Sequence, residues 1–139
     1  MLKLLAYQIL RIIQKTRWPR MNREQFQNQR LQPNFKLDEF LVSSHATTDE
    51  IREELDFTTL VNIRYVALKL QQVRDFIDNE IVVVSGFRPE FVNDIVGGVN
   101  NSHHLDGSAA DIYSPGISSN KLASAIMDAT PDYDELIPK

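Results

Sequence analysis

The sequence predicts an α+β domain: a small, mainly antiparallel sheet with helices packed on it. Two observations predict it. Helical periodicity governs the first half, where Ile63, Val66, Leu70, Val73 and Ile77 recur at intervals of three and four. Short β-rich runs come later, at residues 81–84 and 109–113. Helices grouped ahead of strands argue for α+β and against an alternating parallel sheet. The 139 residues make one domain, and 42% apolar with 24% charged residues excludes a disordered or fibrous chain.

Each element has a local reason. Leu2, Leu5, Ile9, Ile12 and Ile13 are spaced for an amphipathic helix that stops before Pro19. The polar stretch that follows, with Pro19 and Pro33, reads as a linker, so residues 1–34 are expected to form a basic helix and linker ahead of a body at 35–139. Phe35, Leu37, Phe40 and Leu41 predict a short helical turn on the core. Thr48, Asp49 and Glu50 predict a helix start with acids in its first turn. The long helix is expected over 58–78, capped by Thr58 or Thr59. The β-branched run at 81–84 predicts a buried strand, ended by Ser85 and Gly86. Pro89 opens a helix over 90–96, and Gly97-Gly98 ends it. A strand over 109–113, a helix from Ser118 or Ser119 to Ala129, and a last strand starting at 133–137 complete the expectation.

Charge divides the chain. Residues 1–30 carry seven basic side chains and one acid, while the remainder carries eight basic and eighteen acidic groups. An acidic body argues against nucleic acid as the main domain's partner. The basic helix over residues 2–15 is expected to pack on its own domain or on a second copy; adhesion to a membrane surface is the alternative. Its apolar run is too short to span a bilayer, and Arg17-Trp18-Pro19-Arg20 stands where a signal peptide needs small residues, so no clear signal peptide is read. With no cysteine, thiolate chemistry is excluded, and any metal site must use His, Asp or Glu.

Chemistry concentrates between Ser85 and Asp111. His104 and Asp111 are seven residues apart and can converge if a tight turn lies between them, which Gly107 permits. Ala109 shares a strand face with Asp111 and leaves space beside the carboxylate. Imidazole with carboxylate suits zinc. On spacing alone, a polar loop at His103-His104 and a structural Asp111 explain the same residues. Arg88 can grip an anion or form a surface ion pair with Glu90 or Asp94.

The run Ser102-His103-His104-Leu105-Asp106-Gly107-Ser108-Ala109-Ala110-Asp111 resembles the S-x-H-x-x-G-x-A-x-D motif of the zinc D-alanyl-D-alanine carboxypeptidase family, whose fold is shared with the hedgehog signalling domain. Ser85-Gly86-Phe87-Arg88 resembles the family's S-G-[YF]-R. Asn93 with Gly97-Gly98 is similar to its N-x-x-V-G-G turn, and residues 35–40 resemble the opening of its phage-type and cell-wall branch. The resemblance covers about residues 35–137. It implies a hedgehog/D-Ala-D-Ala peptidase-like fold, with zinc held by His104 and Asp111. It makes Arg88 the residue that pairs with a substrate carboxylate or developing oxyanion. It sets Ser102 beside the metal and Tyr113 in the cleft, both as substrate-binding residues. His103 falls on a variable position, and His45 matches no family ligand.

The family's last strand carries a catalytic acid and then a third zinc-binding His, but no histidine follows Asp111 here. Glu135 is not at the catalytic position. The resemblance therefore implies a zinc peptidase acting on peptidoglycan peptides beside D-alanine, cut short or nearly inactive as it stands, or completed by a partner chain. The alternative is an inactive module that binds cell-wall peptides, or a scaffold. A bacterial cell envelope or a phage-encoded origin is implied.

Overall fold

The computed structural model describes residues 2–5, 29–133 and 135–138. Its elements are β1 (Leu2–Leu5), β2 (Arg30–Gln32), β3 (Phe35–Lys36), a 3-10 turn (Leu37–Phe40), α1 (Thr48–Glu53), α2 (Phe57–Ile77), β4 (Val82–Ser85), α3 (Glu90–Ile95), a second 3-10 turn (His103–Asp106), β5 (Ala109–Tyr113), α4 (Ser119–Ala129) and β6 (Glu135–Pro138). The main sheet has strand order β4-β5-β1-β6, and each neighbouring pair is antiparallel. Helices α2 and α4 pack together; α2 meets β5, and α4 meets β1 and β6. This is the expected α+β class.

The start of the chain differs from the expectation. Leu2–Leu5 is a strand, not the first turn of an amphipathic helix. It lies between β5 and β6, with Leu2 opposite Ile112 and Pro138. Leu2 and Leu4 are fully buried and Lys3 between them is not, which is the period-two pattern of a strand. A short apolar run does not distinguish helix from strand, and pairing on both sides decides it. These four residues therefore belong to the sheet of the body that was expected to begin at Phe35. The rest of the expected helix, 6–15, lies outside the described residues, as does the linker up to residue 28. Within the remaining linker, Arg30–Gln32 pairs with Phe35–Lys36 as a hairpin. Its turn is fastened to α2: the Asn34 N–H donates to Gln71 Oε1 at 3.0 Å, and Gln71 Nε2 donates to Asn34 Oδ1 at 2.9 Å.

Helix α2 is the platform. Ile63, Val66, Ala67, Leu70 and Val73 form its buried stripe, as the spacing predicts. Its cap is Asp56, whose side chain accepts from Thr59 N–H at 2.8 Å, so the helix starts at Phe57, ahead of both expected threonine caps. Thr47 caps α1 in a capping box with Glu50, and Ser118 caps α4. Arg52 of α1 bonds Asp38 and Asp49, tying α1 to the first 3-10 turn and holding the guanidinium's pKa above its ordinary value. Among the described residues, no helix is long and apolar enough to cross a membrane.

Candidate active site

The site forms where β4, β5 and the second 3-10 turn meet. Strands β4 and β5 run in register through Val83 and Ile112, then slip, so that Ser85 stands opposite Asp111. An irregularity of this kind re-aims side chains beside functional sites. It brings the backbone beyond Ser85 back towards the second 3-10 turn, where Arg88 N–H donates to the His104 carbonyl at 2.8 Å.

The second 3-10 turn is placed by local chemistry. Ser102 caps it, accepting from His104 N–H at 3.3 Å. Gly107 ends it in the left-handed region, at φ 78°. Asp106 accepts from the Ser108 N–H at 3.0 Å and also bonds the Ser108 hydroxyl. Asn62 of α2 donates to the Asp106 carbonyl at 2.7 Å, so the platform helix holds the turn from below.

His104 and Asp111 do converge, and both are buried. His104 Nδ1 lies 2.7 Å from the Gly86 carbonyl oxygen. A carbonyl can only accept, so Nδ1 carries a proton and donates it. Nε2 then faces Asp111 Oδ2 at 3.6 Å, too far for a hydrogen bond. An imidazole whose other nitrogen donates to a backbone carbonyl is the usual supported form of a metal-binding histidine. Zinc bonds of about 2.0–2.2 Å set neighbouring tetrahedral ligands about 3.3–3.6 Å apart, so this pair fits two corners of a zinc site. Among the described residues, no group of three or more His, Asp or Glu is gathered around a common point.

Arg88 is held in place by neutral partners. Nε donates to Asn93 Oδ1 at 3.0 Å, and Nη2 donates to Ser102 Oγ at 3.3 Å. Asn93 is itself buried and donates to the Val99 carbonyl at 3.1 Å. Among the described residues Arg88 forms no ion pair with Glu90 or Asp94, and Nη1 has no hydrogen-bond partner. A half-buried guanidinium held by neutral groups keeps its full charge available for an anion. Ser102 thus touches both Arg88 and the backbone of His104.

Beside Arg88 opens a cleft of about 160 Å³. One wall is the 42–45 segment between the first 3-10 turn and α1. The other is formed by Val84, Ser85, Phe87 and Arg88 with Val92 and Val96. Sequence reasoning gave His45 no place in the site, yet it lines this cleft. It also left Asn93 without a role of its own. Neither is signalled by spacing, because loop closure and a side-chain bond back along the chain bring them in. Tyr113 stands on the strand face of Asp111 but at its exposed end, outside this cleft. His103 is half-buried in the second 3-10 turn, and the side chain of Glu135 lies outside what the structure describes.

No curated protein and no solved structure matches the chain. A family model described as Peptidase M15 does, over residues 33–135. That span holds the first 3-10 turn, the cleft, Arg88, His104 and Asp111, and covers well over half of the sequence; the chain therefore belongs to the Peptidase M15 family, a family of metallopeptidases.

Proposed function

We propose that this chain binds zinc through His104 and Asp111 and acts on peptidoglycan peptides, at a peptide bond beside D-alanine. The observation that carries this reading is the buried pair itself. His104 turns Nε2 towards the Asp111 carboxylate while Nδ1 is committed to the Gly86 carbonyl. Two electron-pair donors facing each other at that separation favour a cation between them. Zinc, when bound, polarises a carbonyl and activates water. Arg88 binds the carboxylate of the peptide, with Asn93 and Ser102 fixing the plane of its guanidinium. Ser102 adds a hydroxyl at the edge of the bound peptide.

Calorimetry with zinc tests the donor pair. We expect binding by the parent chain, and at least a tenfold loss for His104→Ala and for Asp111→Ala. Equal affinity in all three refutes the assignment. Arg88→Lys is expected to weaken an acetylated D-Ala-D-Ala peptide while leaving its C-terminal amide unaffected, because an ammonium cannot make the bidentate pair.

A second reading is a peptide-binding module without turnover. Among the described residues only His104 and Asp111 are brought together as donors, which favours it, since a catalytic zinc usually has three protein ligands. Release of D-alanine, measured with zinc and with a chelator, separates the two. Chelator-sensitive release supports the enzyme; peptide binding without release supports the module.

A further inference from the structure

The two strands that flank Asp111 contribute differently to its surroundings. On the β4 side the residue opposite is Ser85. On the β1 side it is Lys3. Residues directly opposite in an antiparallel pair share a face of the sheet, with Cβ atoms about 4.5–5.5 Å apart. Leu2 and Leu4 fix the core face of β1: both are fully buried, and they pair with Ile112 and Ala110. Lys3 between them therefore takes the face of Asp111. On its other side Lys3 is paired with Ile137 of β6, which carries no charge. Lys3 is half-buried, and its flexible four-carbon stem is long enough to bring the ammonium to a carboxylate on the next strand.

This placement is independent of the family's motifs. The Peptidase M15 match begins at residue 33, and β1 lies ahead of it. A lysine at this register matters because Asp111 is buried, and a buried carboxylate is costly unless a cation or hydrogen bonds compensate it. His104 does not supply the compensation. Its Nδ1 proton is committed to the Gly86 carbonyl, and Nε2 faces the carboxylate at 3.6 Å as a second electron-pair donor. Two cations therefore suit the one carboxylate: the Lys3 ammonium, which the chain always carries, and a metal held between Asp111 and His104.

We propose that Lys3 is a further residue of this site: its ammonium is the counter-charge of Asp111 in the metal-free protein, and it competes with zinc for that carboxylate. Zinc displaces the ammonium from Asp111 but keeps a like charge one strand away, so Lys3 lowers metal affinity without touching the metal. Repulsion between a dication and an ammonium at that range is only partly screened in a half-buried site. The proposal rests on the zinc pair described above, and the test separates the two. Zinc affinity is measured by calorimetry on the full chain and on Lys3→Gln, Lys3→Met and Lys3→Arg, with amide NMR spectra to confirm the fold; either neutral variant suffices if the other does not fold. The neutral variants should bind zinc about threefold or more tightly than the parent. Lys3→Arg, which keeps the charge, should bind no more tightly than the parent. In the metal-free protein Asp111→Asn should shift the Lys3 Cε signal, and zinc added to the parent should shift it too. Binding that appears only in the neutral variants, and is lost when His104→Ala is added to them, also supports the proposal. If His104→Ala weakens zinc binding but neutralising Lys3 leaves it unchanged or lowers it, the competition is overturned and the zinc site stands. If neither the parent nor a folded neutral variant binds zinc, both are overturned.

Discussion

A single methyl group at residue 98 would decide whether Arg88 stays in place. A Cβ built on Gly98 falls 2.0 Å from Asn93 Oδ1, the atom that accepts from Arg88 Nε. Asn93 is buried, so it has nowhere to retreat without breaking its bond to Val99. Gly98→Ala is therefore expected to destabilise the fold by about 1–3 kcal/mol, the scale of a lost buried hydrogen bond. It should also abolish the preference for a free carboxylate over an amide while leaving zinc affinity unchanged. Denaturant unfolding and paired calorimetric titrations check the three effects. Sequence placed Arg88 in one family-like motif and Asn93 with the glycine pair in another, without a link between them. The link was not readable, because a side-chain bond reaching back five residues has no period to betray it. His104 and Asp111 were legible because a turn glycine and a strand face let them converge and the resemblance to a family motif singled them out; spacing alone left a structural reading open.

Helix α2 carries the turn that holds His104, and the tolerance at their contact is small. Gly107 has φ 78°, and a Cβ there would meet Ile63 Cγ1 at 2.9 Å and the Thr59 carbonyl at 3.0 Å. Gly107→Ala combines left-handed strain with that contact, and about 1–3 kcal/mol of stability should be lost. Thermal unfolding measures the loss, and a parallel fall in zinc affinity would show that His104 moved with the turn. The same helix reaches the approach to β6. Buried Lys69 donates to Asp132 at 2.6 Å, and this hydrogen bond holds the Asp132 carboxyl below its ordinary 3.8. A depressed folded pKa stabilises the protein in full above the unfolded value, and the contribution disappears as pH falls through the folded one. Acid unfolding of Asp132→Asn should therefore lack one increment that the parent loses below about pH 4. The increment should be under about 1 kcal/mol, because the carboxylate is mostly exposed. The stripe of α2 was readable at every turn. Its start was not, since Asp56, Thr58 and Thr59 all suit a cap and only the fold selects one.

At the scale of the molecule, the sheet depends on a strand that looked like an accessory. Leu2–Leu5 bonds to β5 on one side and β6 on the other. Deleting residues 1–5 removes two fully buried leucines, each worth about 1.5–3 kcal/mol, and separates β6 from the rest of the sheet. Against a typical stability of about 5–15 kcal/mol, that is expected to abolish cooperative unfolding. A deletion variant with a dispersed amide NMR spectrum would contradict it. The strand at 82–85 was legible because a β-branched run and the Ser85-Gly86 turn residues mark it. β1 was not, because its identity is set by partners more than a hundred residues away, which no local window contains. That separation has a consequence for biosynthesis. A ribosome releases Leu2 and Leu4 more than a hundred residues ahead of either pairing strand. During elongation those leucines have no core to enter, and the emerging strand has two open edges. Slow closure of distant pairings exposes such segments to aggregation. Yield in cells should therefore depend on holdase chaperones more strongly than equilibrium stability alone would suggest.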